Sequence, residues 1–136
     1  MIKPIVKDVF FLGQKSISAT IEDLPIAQDL QDTLNANRDR CVGMAANMIG
    51  VTKRIIIVNM GLADVVMFNP TITQKKDPYE AEEGCLSLTG VRKALRYKTI
   101  TLEYTDIKWK RQRQVYSGWI AQIIQHECDH LEGVVI

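Results

Sequence analysis

The chain holds only two histidines, and both fall in one five-residue string, His126-Glu127-Cys128-Asp129-His130. On a helix, positions four apart lie on one face, so both imidazoles can grip a single cation. Glu127 follows the first of them directly, where a carboxylate can move protons beside that cation without being one of its ligands. The bland alternative is a helical surface that carries His-Glu-x-Asp-His by chance, and the surroundings of the string weigh against it.

Two imidazoles leave a catalytic centre one protein ligand short, since zinc-type sites use three protein ligands and keep a fourth position open for water. Three cysteines are available. Cys128 lies roughly 200° around the helix from His126 at 3.6 residues per turn and points away. Cys41 sits beside an apolar run. Cys85 lies in Glu82-Glu83-Gly84-Cys85-Leu86-Ser87, a glycine-flanked segment that bends easily and leaves its thiol reachable. A lone cysteine is more often a small buried hydrophobe. Here the missing ligand makes Cys85 the best third donor, held by a cation as thiolate. One thiolate with two imidazoles suits a single divalent ion, Zn2+, Ni2+, Co2+ or Fe2+.

These residues need a helix and a scaffold. Ser117 is placed to N-cap a helix running through Trp119, Ile120, Ile123, Ile124 and Leu131, whose spacing marks a buried face, and Gly133 suits its stop. An earlier helix is expected over Thr20 to Asp39. Thr20 with Asp23 resembles a capping box, Pro25 suits a first turn, and Leu24, Ala27, Leu30 and Leu34 share a face. Arg54 to Asn59 and Val65 to Asn69 are short β-rich runs, and Asn69-Pro70 reads as a turn or edge. Thr99 to Tyr104 alternates as a half-buried strand does. The predicted class is α+β: a mostly antiparallel sheet packed around the C-terminal helix that carries the motif, with one N-terminal helix. With 136 residues, 46% of them apolar, and no linker or repeat, a single domain over 1–136 is expected.

Glu83-Gly84-Cys85-Leu86-Ser87 and Gln125-His126-Glu127-Cys128-Asp129-His130-Leu131-Glu132-Gly133 resemble the second and third signature motifs of the peptide deformylases, in the family's order. The resemblance spans Ile2 to Gly133. It implies a hydrolase that removes the formyl group from the initiator methionine of nascent peptides. Cys85, His126 and His130 would be the metal ligands, Fe2+ the ion in the cell, and Glu127 the general acid and base. The Leu86 backbone N–H would hold the oxyanion, and Arg92 the substrate's peptide backbone. Val42, Gly43, Trp119 and Ile123 would contact the substrate, the larger three shaping an apolar slot for methionine.

The first signature motif departs from the family pattern. The family has Gly-apolar-Gly-apolar-Ala-Ala-x-Gln, whereas this chain has Cys41-Val42-Gly43-Met44-Ala45-Ala46-Asn47-Met48. The family's glutamine donates to the formyl oxygen; the Met48 thioether has no N–H and cannot. Losing one oxyanion donor typically lowers turnover ~10² to 10³-fold. Asn47 is expected to face the other way. Gln122, one turn before His126, is placed to reach the site and replace the donor, or to make the pocket more polar. A non-catalytic, metal-binding paralogue that recognises peptide N-termini is the alternative to a working enzyme; a serine- or cysteine-nucleophile hydrolase is not, because both histidines are committed to metal.

Seventeen basic and sixteen acidic residues nearly cancel, which argues against a general role on DNA or membrane surfaces. Lys108-Trp109-Lys110-Arg111-Gln112-Arg113 is a local basic run that could touch the ribosome near emerging chains. No signal peptide or membrane span is evident, and an odd cysteine count fits a reducing cytoplasm. Family members usually carry a further C-terminal segment, so part of the packing behind the active helix is expected to be missing.

Overall fold

The computed structural model describes residues 1–134; the last two positions of the expected 1–136 domain lie outside them. Among the described residues, five strands form one antiparallel sheet in chain order: β1 (Gly43–Ala45), β2 (Ile55–Asn59), β3 (Asp64–Cys85), β4 (Leu88–Thr105) and β5 (Arg111–Ser117). The helices are α1 (Val9–Leu12), α2 (Leu24–Ala36) and α3 (Gly118–Leu131). Ile55, Ile56, Ile57 and Val58 are all fully buried, which a strand permits only when both its faces are covered. Both α2 and α3 pack on β2. Leu30 and Leu34 from α2 and Ala121, Ile124 and Leu131 from α3 complete that core. This is the predicted α+β arrangement.

α2 begins as its sequence suggests: after a 3-10 turn, the Thr20 N–H donates to the Asp23 carboxylate at 2.7 Å, and Pro25 sits in the first turn. It ends at Ala36 rather than Asp39. Asn37 turns its side chain back onto the Thr33 carbonyl at 2.8 Å, offering that helical acceptor a side-chain partner. The one-turn α1, capped by Asp8, precedes it and had no periodic signature at four residues.

Asn69-Pro70 is an edge and not a turn: pairing with β2 ends at Phe68, and beyond it β3 pairs only with β4. β3 runs straight through it on a bulge, with a register shift between Phe68 and Thr71 and Asn69 at φ +50°. The Asn69 side chain pairs with both backbone groups of Ala19, at 2.8 and 3.0 Å, which compensates for the ladder bonds the bulge forfeits. β3 and β4 thus form one long hairpin whose closing residues include Cys85.

β5 passes into α3 without a loop. Ser117 occupies the N-cap position, but its hydroxyl makes no capping bond. At the other end the Gly133 N–H donates to the His130 carbonyl at 3.1 Å and the Val134 N–H to the Asp129 carbonyl at 3.0 Å. This is the paired Schellman closure, with Gly133 at φ +75° supplying the left-handed residue. No helix is long and apolar enough to cross a membrane among the described residues.

Candidate active site

Alternation along the end of β3 decides which side chains face α3. Pro78, Glu80, Glu82 and Gly84 are exposed, whereas Ala81 and Glu83 are buried and Tyr79 and Cys85 half-buried. Cys85 therefore shares a face with Glu83, and both look toward α3. The helix meets them with His126 and His130. Cys85 Sγ lies 3.3 Å from His130 Nε2, the two Nε2 atoms lie 3.1 Å apart, and the three donor atoms fall within 4.8 Å of one another. Tetrahedral ligands at the usual zinc-type bond lengths stand roughly 3.3 to 3.6 Å apart, so this donor set fits one divalent ion with small adjustments. Cys128 is buried in the core and outside the cluster, as its position on the helix requires.

Three polar side chains fix the position of α3. Gln125 clamps the Tyr97 backbone, accepting from its N–H and donating to its carbonyl, both at 2.8 Å. Asn47 donates to the His130 carbonyl at 2.9 Å; it serves the helix backbone and not the cavity. Arg96, 3% exposed, grips Glu83 with two nitrogens at 2.9 and 2.6 Å and reaches Asp129 at 2.7 Å. Glu83 in turn accepts from His126 Nδ1 at 2.8 Å, which leaves Nε2 turned toward the cluster. A carboxylate behind a ligating imidazole fixes its tautomer and ring orientation.

Sequence reasoning passed over Glu83, Arg96 and Asp129. Glu83 had a signal, because it lies two residues before Cys85 and so on the same strand face. Arg96 had none beyond being a lone charge between apolar neighbours. Burial opposes ionisation of Glu83, but the bonds from His126 and Arg96 outweigh it and hold its carboxyl at about 2. Burial lowers the pKa of His126, but its bonds with Cys85 and Glu83 outweigh that and raise it above the ordinary imidazole value. His130 is pushed down by burial and by the charge of His126.

Glu127 is 4% exposed, and its Oε1 is buried without a partner among the described residues. Burial pushes its carboxyl up to about 7, into the range a proton-transfer group needs at neutral pH. Room for it comes from Gly43 on β1, where a Cβ would stand 3.1 Å from Glu127 Oε2 and 2.7 Å from Ile123 Cγ2. An unpartnered carboxylate oxygen beside a cluster of metal-type donors is itself a mark of a reacting centre.

A cavity of about 180 Å³ opens onto Cys85, His126 and Glu127. Val42, Gly43, Met48, Leu86, Trp119 and Ile123 wall it, together with Gln122 and Arg40. Trp119, expected on the buried face of α3, is 61% exposed: it stands at the start of the helix and lines the cavity. Arg92 does not line the cavity; it is exposed on β4, paired in register with Glu83. Met48 is 1% exposed, and its Sδ accepts the Ala45 N–H at 3.4 Å. Gln122 lines the cavity, with its amide engaged by the hairpin. Its amide nitrogen gives a hydrogen bond to Glu83 at 3.0 Å and its oxygen accepts one from Tyr79 at 3.2 Å.

The family model described as polypeptide deformylase matches residues 6–136. A peptide deformylase of Clostridium beijerinckii is 57% identical over 136 residues, covering all of both chains. One from Chlorobium phaeobacteroides is 34% identical over 127 residues, covering 88% of this chain and 65% of its own length. Among solved structures, the class I type b peptide deformylase of Acinetobacter baumannii with Met-Ala-Ser bound is similar at a TM-score of 0.88 and 27% identity, over 99% of this chain and 97% of that one. With the donor cluster, the buried carboxylate and the cavity in the arrangement described above, the chain belongs to the polypeptide deformylase family.

Proposed function

We propose that this chain, a single deformylase domain, removes the N-formyl group from the initiator methionine of nascent peptides. Cys85, His126 and His130 are the residues that hold the metal. The observation that carries this reading is the convergence of those three donors beside a buried carboxylate with one oxygen unpaired. When bound there, a divalent cation supplies Lewis-acid activation of water and of the formyl carbonyl. Glu127 removes the proton from the attacking water and delivers it to the departing amine nitrogen. The Leu86 N–H donates to the oxygen that gains charge. Val42, Trp119 and Ile123 take the methionine side chain, and Gly43 keeps the approach to Glu127 open. Arg92, exposed on β4, acts on the part of the peptide that extends beyond the cavity. Glu83 and Arg96 keep the His126 ring in register.

Fe2+ is the ion we assign in the cell, with Zn2+, Ni2+ and Co2+ able to occupy the same donors. The compartment is the cytoplasm, where nascent formylated chains emerge. The exposed basic run at the β4–β5 turn is offered as a contact for the ribosome. Lys108, Lys110, Arg111 and Arg113 project from it, while Trp109 packs edge-on against Phe68. The non-catalytic paralogue is disfavoured because a binding site has no use for a desolvated general base, and burying Glu127 costs stability.

Formate release from formyl-Met-Ala-Ser by the metal-loaded protein tests the proposal. Turnover that disappears in Glu127→Gln, with metal content retained, is the expected outcome. No formate from folded, metal-loaded wild type overturns it.

A further inference from the structure

Gln122 belongs to two parts of the site at once. It lines the cavity, and it touches the carboxylate that supports a metal ligand. The orientation of its amide follows from its partners. An ionised carboxylate only accepts, so the nitrogen must face Glu83, and the oxygen is left for the Tyr79 hydroxyl, which then donates. A continuous chain results: Tyr79 on β3 donates to Gln122, Gln122 to Glu83, and His126 to Glu83 from the other side.

With Gln122 in place the Glu83 carboxylate is saturated. Oε1 accepts from Arg96 Nη2 and His126 Nδ1; Oε2 accepts from Arg96 Nε and Gln122 Nε2. A carboxylate offers about four lone-pair positions, and all are used. The helix contributes Gln122, His126 and Asp129, an i, i+4, i+7 stripe, so successive turns of α3 grip the buried Glu83–Arg96 pair of the hairpin. Without Gln122, Glu83 Oε2 keeps one partner and the carboxylate can rock about the Arg96 fork, carrying the His126 ring with it.

We infer that Gln122 is a positioning residue, which through Glu83 fixes the orientation of the His126 imidazole and makes the cavity wall and the metal-ligand support one mechanical unit. Tyr79 holds the outer end of that unit. The inference rests on the reading of Cys85, His126 and His130 as metal ligands, and it assigns Gln122 no contact with the reacting atoms.

The test uses the zinc-loaded protein and two variants, Gln122→Leu and Tyr79→Phe. Metal loss to a chelator is followed without substrate, and kcat and KM for formyl-Met-Ala-Ser are measured separately. Removing a direct hydrogen-bond partner of a metal ligand typically costs ~10 to 100-fold in metal affinity or activity, and Gln122, one bond further out through Glu83, belongs at the low end of that range. For Gln122→Leu the expected result is metal loss about 10-fold more readily, with a comparable fall in kcat and no rise in KM, since the wall only becomes more apolar. Tyr79→Phe should move metal loss in the same direction by less, and it decides the matter if the leucine variant fails to fold. A change in KM alone, with metal retention and kcat as in wild type, shows Gln122 to be cavity wall only and overturns the inference. Wild type that holds zinc but releases no formate defeats the proposed function instead, leaving metal retention to judge Gln122.

Discussion

Restoring a glutamine at position 48 should raise turnover, and the structure supports a calculation of how far. Met48 is buried in the turn after β1, lines the cavity, and uses its Sδ to accept the Ala45 N–H at 3.4 Å. Glutamine is unbranched and of similar length. In Met48→Gln its Oε1 can take over the Ala45 N–H, which leaves the Nε2 hydrogens for the cavity side, where the formyl oxygen gains charge. One pre-aligned oxyanion donor is worth about 2.7 to 4 kcal/mol, or ~10² to 10³ in kcat. An amide in place of a thioether also costs roughly 1 to 3 kcal/mol of burial where its hydrogen bonds are incomplete. That cost falls on folding stability rather than on the barrier. The expected result is therefore a kcat rise of ~10² together with a lowered Tm, measured as formate release from formyl-Met-Ala-Ser at equal metal occupancy. A folded, fully loaded Met48→Gln protein with unchanged kcat would refute the reasoning, since it would show that position 48 does not face the oxyanion.

Gly43→Ala should retain metal and lose turnover. Its Cβ would meet Glu127 Oε2 at 3.1 Å and Ile123 Cγ2 at 2.7 Å. Displacement of a catalytic group by about 1 Å can cost ~10²-fold, and equal kcat in the alanine variant would contradict the assigned approach to Glu127. The metal-free protein should also lose stability in acid through Glu83. Its carboxyl is held at about 2 against an ordinary 4.5, so the contribution is full above pH 4.5 and is lost as pH falls through about 2. The size is on the order of 3 kcal/mol. Urea unfolding between pH 5 and 2 should show this slope in wild type and a flatter one in Glu83→Gln.

The cluster of Cys85, His126 and His130 was legible because its chemistry is scarce: two histidines at helical spacing and a cysteine in a bendable segment leave few alternatives. The helix and its stop at Gly133 were legible for the same local reason, periodicity followed by a left-handed residue. The second layer was not. Glu83, Arg96 and Asp129 meet only after the hairpin folds onto α3, and no local period relates residues 83, 96 and 129. Asn69-Pro70 carried a true breaker signal, but Ala19, far away in sequence, supplies the bonds that let β3 continue through it. Trp119 followed the helical apolar stripe and still stands exposed, because it sits in the first turn of α3 and lines the open cavity rather than the core. Gln122 was correctly placed near the site, yet the partner that claims its amide is Glu83, to which the sequence alone assigns no role.

Cobalt binding tests the central claim most directly. Titrating the metal-free protein with Co2+ should give one ion per chain, with an absorption spectrum of low-coordinate cobalt that includes a thiolate-to-cobalt band. Cys85→Ser should abolish that band, and His126→Ala or His130→Ala should each weaken binding. A spectrum without thiolate character in wild type, or one that survives loss of the Cys85 sulfur, would contradict the account.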